Sequence, residues 1–133
     1  MTEPYTAIQV VMMPRDTNPH GTIFGGVILS YIDMAGAIAA RREIALRGGA
    51  RDAKIVTVAV NRVEFKQPVL VGDVVRFETT VARVGRTSMT MHINVVSERA
   101  GVNIPVTESE VVYVNVGPDR QPVPLLPAAP GAP

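Results

Sequence analysis

The longest apolar stretch of the chain, Gly25–Ala40, predicts a single buried α-helix. Apolar residues occupy nearly every position around it, whereas a surface helix keeps one polar face. Apart from Asp33, charge begins only at Arg41 and Arg42, and Gly48-Gly49 is typical of a helix end. A membrane span takes roughly 20 apolar residues, and this stretch is shorter. We therefore expect a helix that other protein structure covers.

Beyond Gly49 the pattern changes to alternation of apolar and polar residues, which is typical of β-strands. The connections are short, with a hairpin at Gly85-Arg86 and a polar loop at Glu98–Pro105, and short connections favour antiparallel neighbours. We predict an α+β fold in which about five antiparallel strands wrap round one long central helix. The predicted strands are Thr6–Met13, Ile55–Phe65 with an irregularity near Asn61-Arg62, Val74–Val84, Thr87–Val96 and Val106–Val116.

The length and composition indicate one domain over residues 1–117, followed by a Pro-rich tail over residues 118–133 that we expect to be extended or disordered. Hydrophobic residues make up 47% of the chain and aromatic residues only 5%, so aliphatic side chains have to build the core. The net charge of +1 comes without a basic block, which argues against nucleic acid as a partner.

The absence of cysteine excludes disulfides and thiolate metal sites. The first residues lack the basic start and apolar core of a signal peptide, so we expect a cytoplasmic protein that does not insert into a membrane.

Asp33 lies in the middle of the apolar helix, and acidic side chains are almost never buried unless something pairs with them. Ahead of the helix comes a loop dense in turn residues, Arg15–Gly21, which contains Asn18 and His20. Gly25 and Gly26 then fall in the first helical turn. Glycine costs a helix about 1 kcal/mol against alanine, but it lets a ligand approach the backbone closely.

These residues resemble the hotdog-fold acyl-CoA thioesterases, in the branch of YciA and the brain-type acyl-CoA hydrolases. The resemblance is strongest in Met13–Gly26 (MPRDTNPHGTIFGG), Asp33 and Ala35–Ala40 (AGAIAA), and it extends from Ala7 to Val116. Weaker matches are Val56-Thr57-Val58, Phe65 with Pro68, Val71-Gly72-Asp73 and Val84-Gly85-Arg86-Thr87-Ser88.

The resemblance implies a dimer whose sheets join edge to edge, assembled further into a trimer of dimers, with two equivalent sites between the helices of each dimer. It implies acyl-CoA as substrate, with no metal and no cofactor beyond the coenzyme A of the substrate itself. Asp33 would be the catalytic carboxylate and Asn18 its polar partner. The backbone amide near Gly25 would polarise the thioester carbonyl.

Helix geometry adds a constraint, because Gly25 and Asp33 are eight residues apart on one helix. At about 1.5 Å per residue they lie roughly 12 Å apart, so one carbonyl does not reach both. Our hypothesis is a shared site in which Asp33 of one subunit faces Asn18 and Gly25 of the partner subunit. Asp33 then serves as general base or as nucleophile.

Coenzyme A carries phosphates, so its site needs cations at the rim. Arg86, Thr87 and Ser88 at a turn offer a guanidinium, hydroxyls and amides suited to phosphate, with Lys66 as a further candidate and Arg62 as a weaker one. Other residues predicted to bind the substrate or line the acyl tunnel are His20, Ile23, Phe24, Gly26, Thr57 and Phe65.

Structural interpretations stand beside these functional ones. Asp33 would then pair with an arginine or cap a loop, Asn18 would hold its loop by an Asx turn, and Arg86 would be a solvated hairpin tip. Two other functions remain open as well. A hotdog hydratase or dehydratase needs a histidine beside the acid, which this helix lacks, and a non-catalytic acyl-CoA sensor would use the same cleft.

Overall fold

The computed structural model describes residues 3–127, which form one long helix and five strands. Their bounds are β1 Tyr5–Val11, α1 Gly25–Leu46, β2 Ile55–Asn61, β3 Val74–Val84, β4 Ser88–Arg99 and β5 Val102–Asn115. All neighbouring strands are antiparallel, in the order β1-β3-β4-β5-β2. The α+β fold with one helix on a five-stranded antiparallel sheet is thus confirmed. Across residues 3–127, no helix has both the length and the apolar character needed to cross a membrane.

The core lies between α1 and the inner face of the sheet. On β4 every second residue points inward, which buries Met89, Met91, Ile93 and Val95. The helix packs a row of buried residues, which recur every three or four positions, against this face of the sheet. That row consists of Ile28, Ile32, Ala35, Gly36, Ala39, Ala40 and Ile44.

The sheet covers only one side of α1. On the opposite side Leu29 and Met34 remain 38% and 47% exposed, although both are large and apolar. Within residues 3–127 the helix is therefore covered on one side, and not on every side as its composition predicts.

The prediction that β2 runs to Phe65 is wrong. The strand ends at Asn61, and Arg62 takes a left-handed backbone conformation with φ 39° that breaks the pairing with β5. The irregularity expected near Asn61-Arg62 is this break. Residues 62–68 consequently lie outside the strand and pass toward the start of α1, with one backbone hydrogen bond from Lys66 to β5.

The polar loop predicted over Glu98–Pro105 is also wrong, because β4 and β5 meet in a tight hairpin. Its two turn residues, Ala100 and Gly101, both have positive φ (51° and 77°), as a turn that follows the twist of a hairpin requires. Pro105 stays inside β5 because the register shifts opposite it, and a bulge tolerates the missing proline N–H.

Residues 118–127 contain no helix or strand, but hydrogen bonds attach them to the domain. The Val123 N–H donates to the Asn115 carbonyl at 2.9 Å, and the Leu125 N–H donates to the Arg86 carbonyl at 3.0 Å. The Leu125 side chain is buried in the core. Residues 128–133 of the predicted tail lie outside the described residues, and the division at residue 117 stays a prediction.

Candidate active site

The Asp33 carboxylate lies beside the edge strand β2. It is half-buried, and its Oδ1 accepts a hydrogen bond of 2.6 Å from the Thr57 hydroxyl. The register of β2 shifts between Thr57 and Ala59, and such bulges re-aim side chains at sheet edges. Thr57, which the sequence predicts as a lining residue, thus contacts the candidate catalytic acid directly.

Tyr113 holds the same helical segment from the neighbouring strand. It is the register partner of Thr57 on β5, and its hydroxyl donates to the Asp33 backbone carbonyl at 2.6 Å. A side chain at Gly36 would collide with this hydroxyl. Burial, and then the negative charge of Asp33, raise the pKa of Tyr113, so the hydroxyl remains a proton donor at physiological pH.

Asn18 organises the loop ahead of the helix. Its Nδ2 donates to the Thr22 hydroxyl at 2.7 Å, while its Oδ1 accepts the backbone N–H groups of His20 at 2.9 Å and Thr22 at 3.2 Å. This is the Asx-type arrangement that the sequence left open. The His20 residue itself is exposed.

The first turn of α1 leaves backbone donors open. Its first amide with an acceptor is that of Val27, which bonds to the Phe24 carbonyl at 3.0 Å, and Phe24 as N-cap supplies no side-chain cap. Within the described part of the chain, the amides of Gly25 and Gly26 have no acceptor. Open amides at the positive end of a helix dipole suit a developing oxyanion.

The candidate residues fall into separate groups within one chain. Asp33 is joined to Thr57 and Tyr113, whereas the open amides at Gly25 lie two turns earlier, roughly 12 Å away along α1. No hydrogen bond among the described residues joins Asn18 to Asp33. A single chain therefore holds the parts of the predicted site without bringing them together.

The candidate phosphate-binding cations are also apart. Arg86 is exposed in the β3–β4 hairpin, where the Thr87 carbonyl accepts the Asn115 N–H at one end of β5. Lys66 is exposed near the other end of β5, where its N–H donates to the Val106 carbonyl. These attachment points are separated by nine residues of strand, which is roughly 30 Å.

Ser88 closes the hairpin by accepting the Gly85 N–H at its carbonyl, 2.7 Å away. His92, outside the candidate site, has its Nε2 3.5 Å from a Glu108 carboxylate oxygen. Among residues 3–127, no group of three or more histidine and carboxylate side chains is arranged to hold a metal ion.

Comparison with known proteins gives consistent matches. The sequence profile of the thioesterase superfamily matches residues 20–103. The acyl-CoA thioester hydrolase YciA of Salmonella typhimurium is 40% identical over 123 residues, which cover 89% of this chain and 87% of that protein.

Solved structures agree with the sequence matches. A hexameric hotdog-fold thioesterase of Campylobacter jejuni superposes with a TM-score of 0.78 at 41% identity, covering 92% of this chain and 90% of that one. A hexameric thioesterase from Yersinia pestis gives a TM-score of 0.82 at 35% identity, covering 96% of this chain and 99% of the other.

Proposed function

The chain belongs to the thioesterase superfamily, and from this premise we propose that it hydrolyses acyl-CoA thioesters to free coenzyme A and a carboxylic acid. The observation that carries the proposal is that one helix holds both an anchored carboxylate and, two turns earlier, backbone amides without acceptors. Asp33 is held by Thr57, and the amides at Gly25 and Gly26 lack acceptors within residues 3–127. Acyl transfer needs both a base or nucleophile and a site for the oxyanion.

In the proposed reaction Asp33 takes a proton from water while the water oxygen attacks the thioester carbonyl. Thr57 engages Oδ1 and fixes the carboxylate so that Oδ2 faces the water. The open amides of the first helical turn stabilise the oxyanion. The C–S bond then breaks, and the coenzyme A thiolate takes up the proton that Asp33 received from water, which restores the Asp33 carboxylate. Direct attack by Asp33, which forms a mixed anhydride that water later hydrolyses, uses the same geometry.

Because Asp33 and Gly25 are far apart in one chain, we propose that the site forms between two subunits. Asp33 then faces Gly25 of the partner subunit. Exposed apolar residues support such an interface, since Val56, Val58 and Val60 are 46%, 55% and 44% exposed on β2, whose outer edge pairs with no strand of residues 3–127. An exposed apolar edge strand is a template for pairing with another chain.

The proposed dimer pairs the β2 edges and sets two equivalent sites between the helices. The Campylobacter jejuni and Yersinia pestis structures are described as hexameric, which fits three such dimers.

Asn18 has one donor left for this shared site. An asparagine amide carries two N–H donors, and only one of them goes to Thr22. The Asx turn fixes the side chain, so the second N–H is oriented before substrate binds. We assign it to the Asp33 carboxylate of the partner subunit or to the attacking water.

For the coenzyme A moiety, we assign its phosphates to Arg86, Thr87 and Ser88 at the hairpin. Since Lys66 lies at the opposite end of β5, Lys66 and Arg86 serve one coenzyme A only if they come from different subunits. Exposed His20, Phe24 and Gly26 flank the helix start and would line the entrance.

Incubating the purified protein with acetyl-, hexanoyl- and palmitoyl-CoA and a thiol reagent tests the function. We expect one thiol released for each thioester consumed. Tight binding of acyl-CoA without thiol release would identify a sensor instead, and loss of enoyl absorbance with enoyl-CoA would identify a hydratase. Either result would replace the proposal.

Thr57→Val should lower kcat about 10- to 100-fold while KM stays within about threefold, because a hydrogen bond to a charged group contributes about 1.5–3 kcal/mol. The substitution removes the hydroxyl that orients the Asp33 carboxylate and keeps the side-chain shape. Steady-state kinetics with one acyl-CoA measure both constants. Thr57→Ser, which retains the hydroxyl, is the matched control and should keep most of kcat. Full activity of the valine variant would show that Thr57 has no part in positioning.

A further inference from the structure

A cavity of ≈ 170 Å³ opens beside the first turn of α1. Its inner wall is made of the buried side chains Ile23, Ile28 and Val69, so it is mainly apolar. Gly25, whose amide is the proposed oxyanion donor, forms part of the wall. The rim is completed by Thr22, Phe65, Gln67 and Pro68.

Phe65 lies on Gly25 at the rim of this cavity. A Cβ atom at position 25 would be 3.3 Å from Phe65 Cε2 and 3.5 Å from Cζ, so a side chain there would push the ring outward by a few tenths of an ångström. The residue is 45% exposed, and it lies in the segment after β2, outside the strand. Within residues 3–127, Phe65 is thus the one aromatic side chain on the rim of the cavity.

The position of the cavity defines its ligand. A thioester carbonyl bound at the Gly25 amide has its α-carbon one bond further on, next to the cavity wall. Saturated carbon is the ligand that apolar walls favour. Building on the proposed function, we propose that this cavity takes the acyl chain of the substrate and that Phe65 sets its maximum length.

The volume of the cavity limits the length of the acyl chain that fits into it. An engineered cavity of about 150 Å³ holds benzene, so this one takes a chain of about six carbons. Each methylene that enters should raise kcat/KM about fourfold, which corresponds to about 0.8 kcal/mol. We expect kcat/KM to rise with chain length up to about six carbons and to level off or fall beyond, because longer chains meet the Phe65 ring.

A series from acetyl-CoA to dodecanoyl-CoA, assayed on Phe65→Ala, tests the inference. Removing the ring should lengthen, by at least about two carbons, the acyl chain at which kcat/KM stops rising. We expect the ratio of decanoyl- to butyryl-CoA activity to rise about 10-fold or more, as two or more additional methylenes become buried. Leu46→Ala, an exposed position at the far end of α1, is the control and should leave the profile unchanged.

Val69→Ile supplies an independent arm, because it adds one methylene to the inner wall and should shorten the preferred chain by about one carbon. The inference is overturned if both variants still release thiol and neither changes the chain length at which kcat/KM stops rising. It is also overturned if Phe65→Ala changes kcat/KM equally for every chain length and weakens inhibition by free coenzyme A in parallel. That pattern would indicate that the cavity binds the pantetheine part of coenzyme A instead of the acyl chain. Absence of thiol release by the unmodified protein with every chain length would overturn the proposed function itself.

Discussion

Asp33→Ala is expected to lower kcat by about 1000-fold with every acyl-CoA that the protein hydrolyses, since general-base catalysis contributes roughly 10²- to 10⁴-fold. The substitution removes the proposed acceptor of the water proton. It should leave the fold intact, because the carboxylate is half-buried and makes its hydrogen bond to an exposed threonine. Thiol release measures the rate, while size-exclusion chromatography and circular dichroism check assembly and folding.

The control for this prediction lies on the same helix. Glu43 is an acid that pairs with Arg47 at 3.4 Å, near the end of α1 and away from the candidate site. Glu43→Gln should keep kcat within about twofold, because Glu43 pairs with Arg42 and Arg47 and not with a residue of the candidate site. A folded Asp33→Ala protein that keeps a tenth of the activity or more would exclude Asp33 as base or nucleophile.

Complementation tests whether the site is shared. Co-expression of Asp33→Ala with Asn18→Ala gives mixed dimers in which one site carries both substitutions and the other carries neither. Random pairing in a two-fold dimer should restore about a quarter of the sites, although each variant alone is nearly inactive. Activity of the mixture no higher than that of the single variants would place the whole site within one subunit.

The fold was predictable wherever its local pattern was regular. Alternation gave β3 its observed bounds, Val74–Val84, and Gly85-Arg86 was correctly predicted as a hairpin. The prediction failed where tertiary pairing overrides local preference. Pro105 indicates a loop in a sequence window, yet a bulge opposite it lets β5 continue, and that bulge exists only in the paired sheet.

The candidate site was likewise predictable from the sequence only where a local pattern indicated it. Asp33 was identified from the sequence because an acid in an apolar helix conflicts with its surroundings. Tyr113 was missed because it appears as one more inward residue of a strand, and its contact with Asp33 spans 80 residues of sequence. The available signal was Gly36, because a mid-helix glycine costs about 1 kcal/mol and marks a close approach. Which side chain approaches depends on the pairing of β2 with β5, which no local pattern encodes.

A second acid, Asp73, is held by a hydrogen-bond network that we expect to stabilise the fold. It is only 3% exposed and lies at the turn before β3, where the sequence indicated little more than a turn. Its carboxylate accepts hydrogen bonds from the Leu70 N–H at 3.0 Å, the Ser97 hydroxyl at 2.7 Å and the Arg99 guanidinium at 2.8 and 3.0 Å. Arg99 also donates to the Pro68 carbonyl at 3.1 Å. The network therefore ties β4 to the segment that forms the cavity rim.

Burial alone would raise the pKa of Asp73, but the hydrogen bonds from Arg99, Leu70 and Ser97 outweigh it and hold the pKa below its usual range. Because the folded pKa lies below the unfolded value of about 3.9, the carboxylate stabilises the fold at every pH above that value. This stabilisation is lost as pH falls through the folded pKa. Unfolding free energy should therefore drop steeply in the acid range below about pH 4.

Asp73→Asn should lower the free energy of unfolding at pH 7 by about 3 kcal/mol and Tm by about 10 °C, because the buried Asp73 carboxylate accepts hydrogen bonds from Leu70, Ser97 and Arg99 that an amide replaces only in part. The side-chain N–H groups of the introduced asparagine would also point toward groups that donate hydrogen bonds to the Asp73 carboxylate. Denaturant unfolding at fixed protein concentration, at pH 7 and pH 3, measures the effect, because assembly contributes to stability. Between these pH values the variant should lose less stability than the unmodified protein. Asp52→Asn, at an exposed turn, should change stability by less than about 0.5 kcal/mol. Equal stability of the Asp73 and Asp52 variants at pH 7 would mean that the buried network contributes no net stability, so that the hydrogen bonds to Asp73 merely offset the cost of burying its charge.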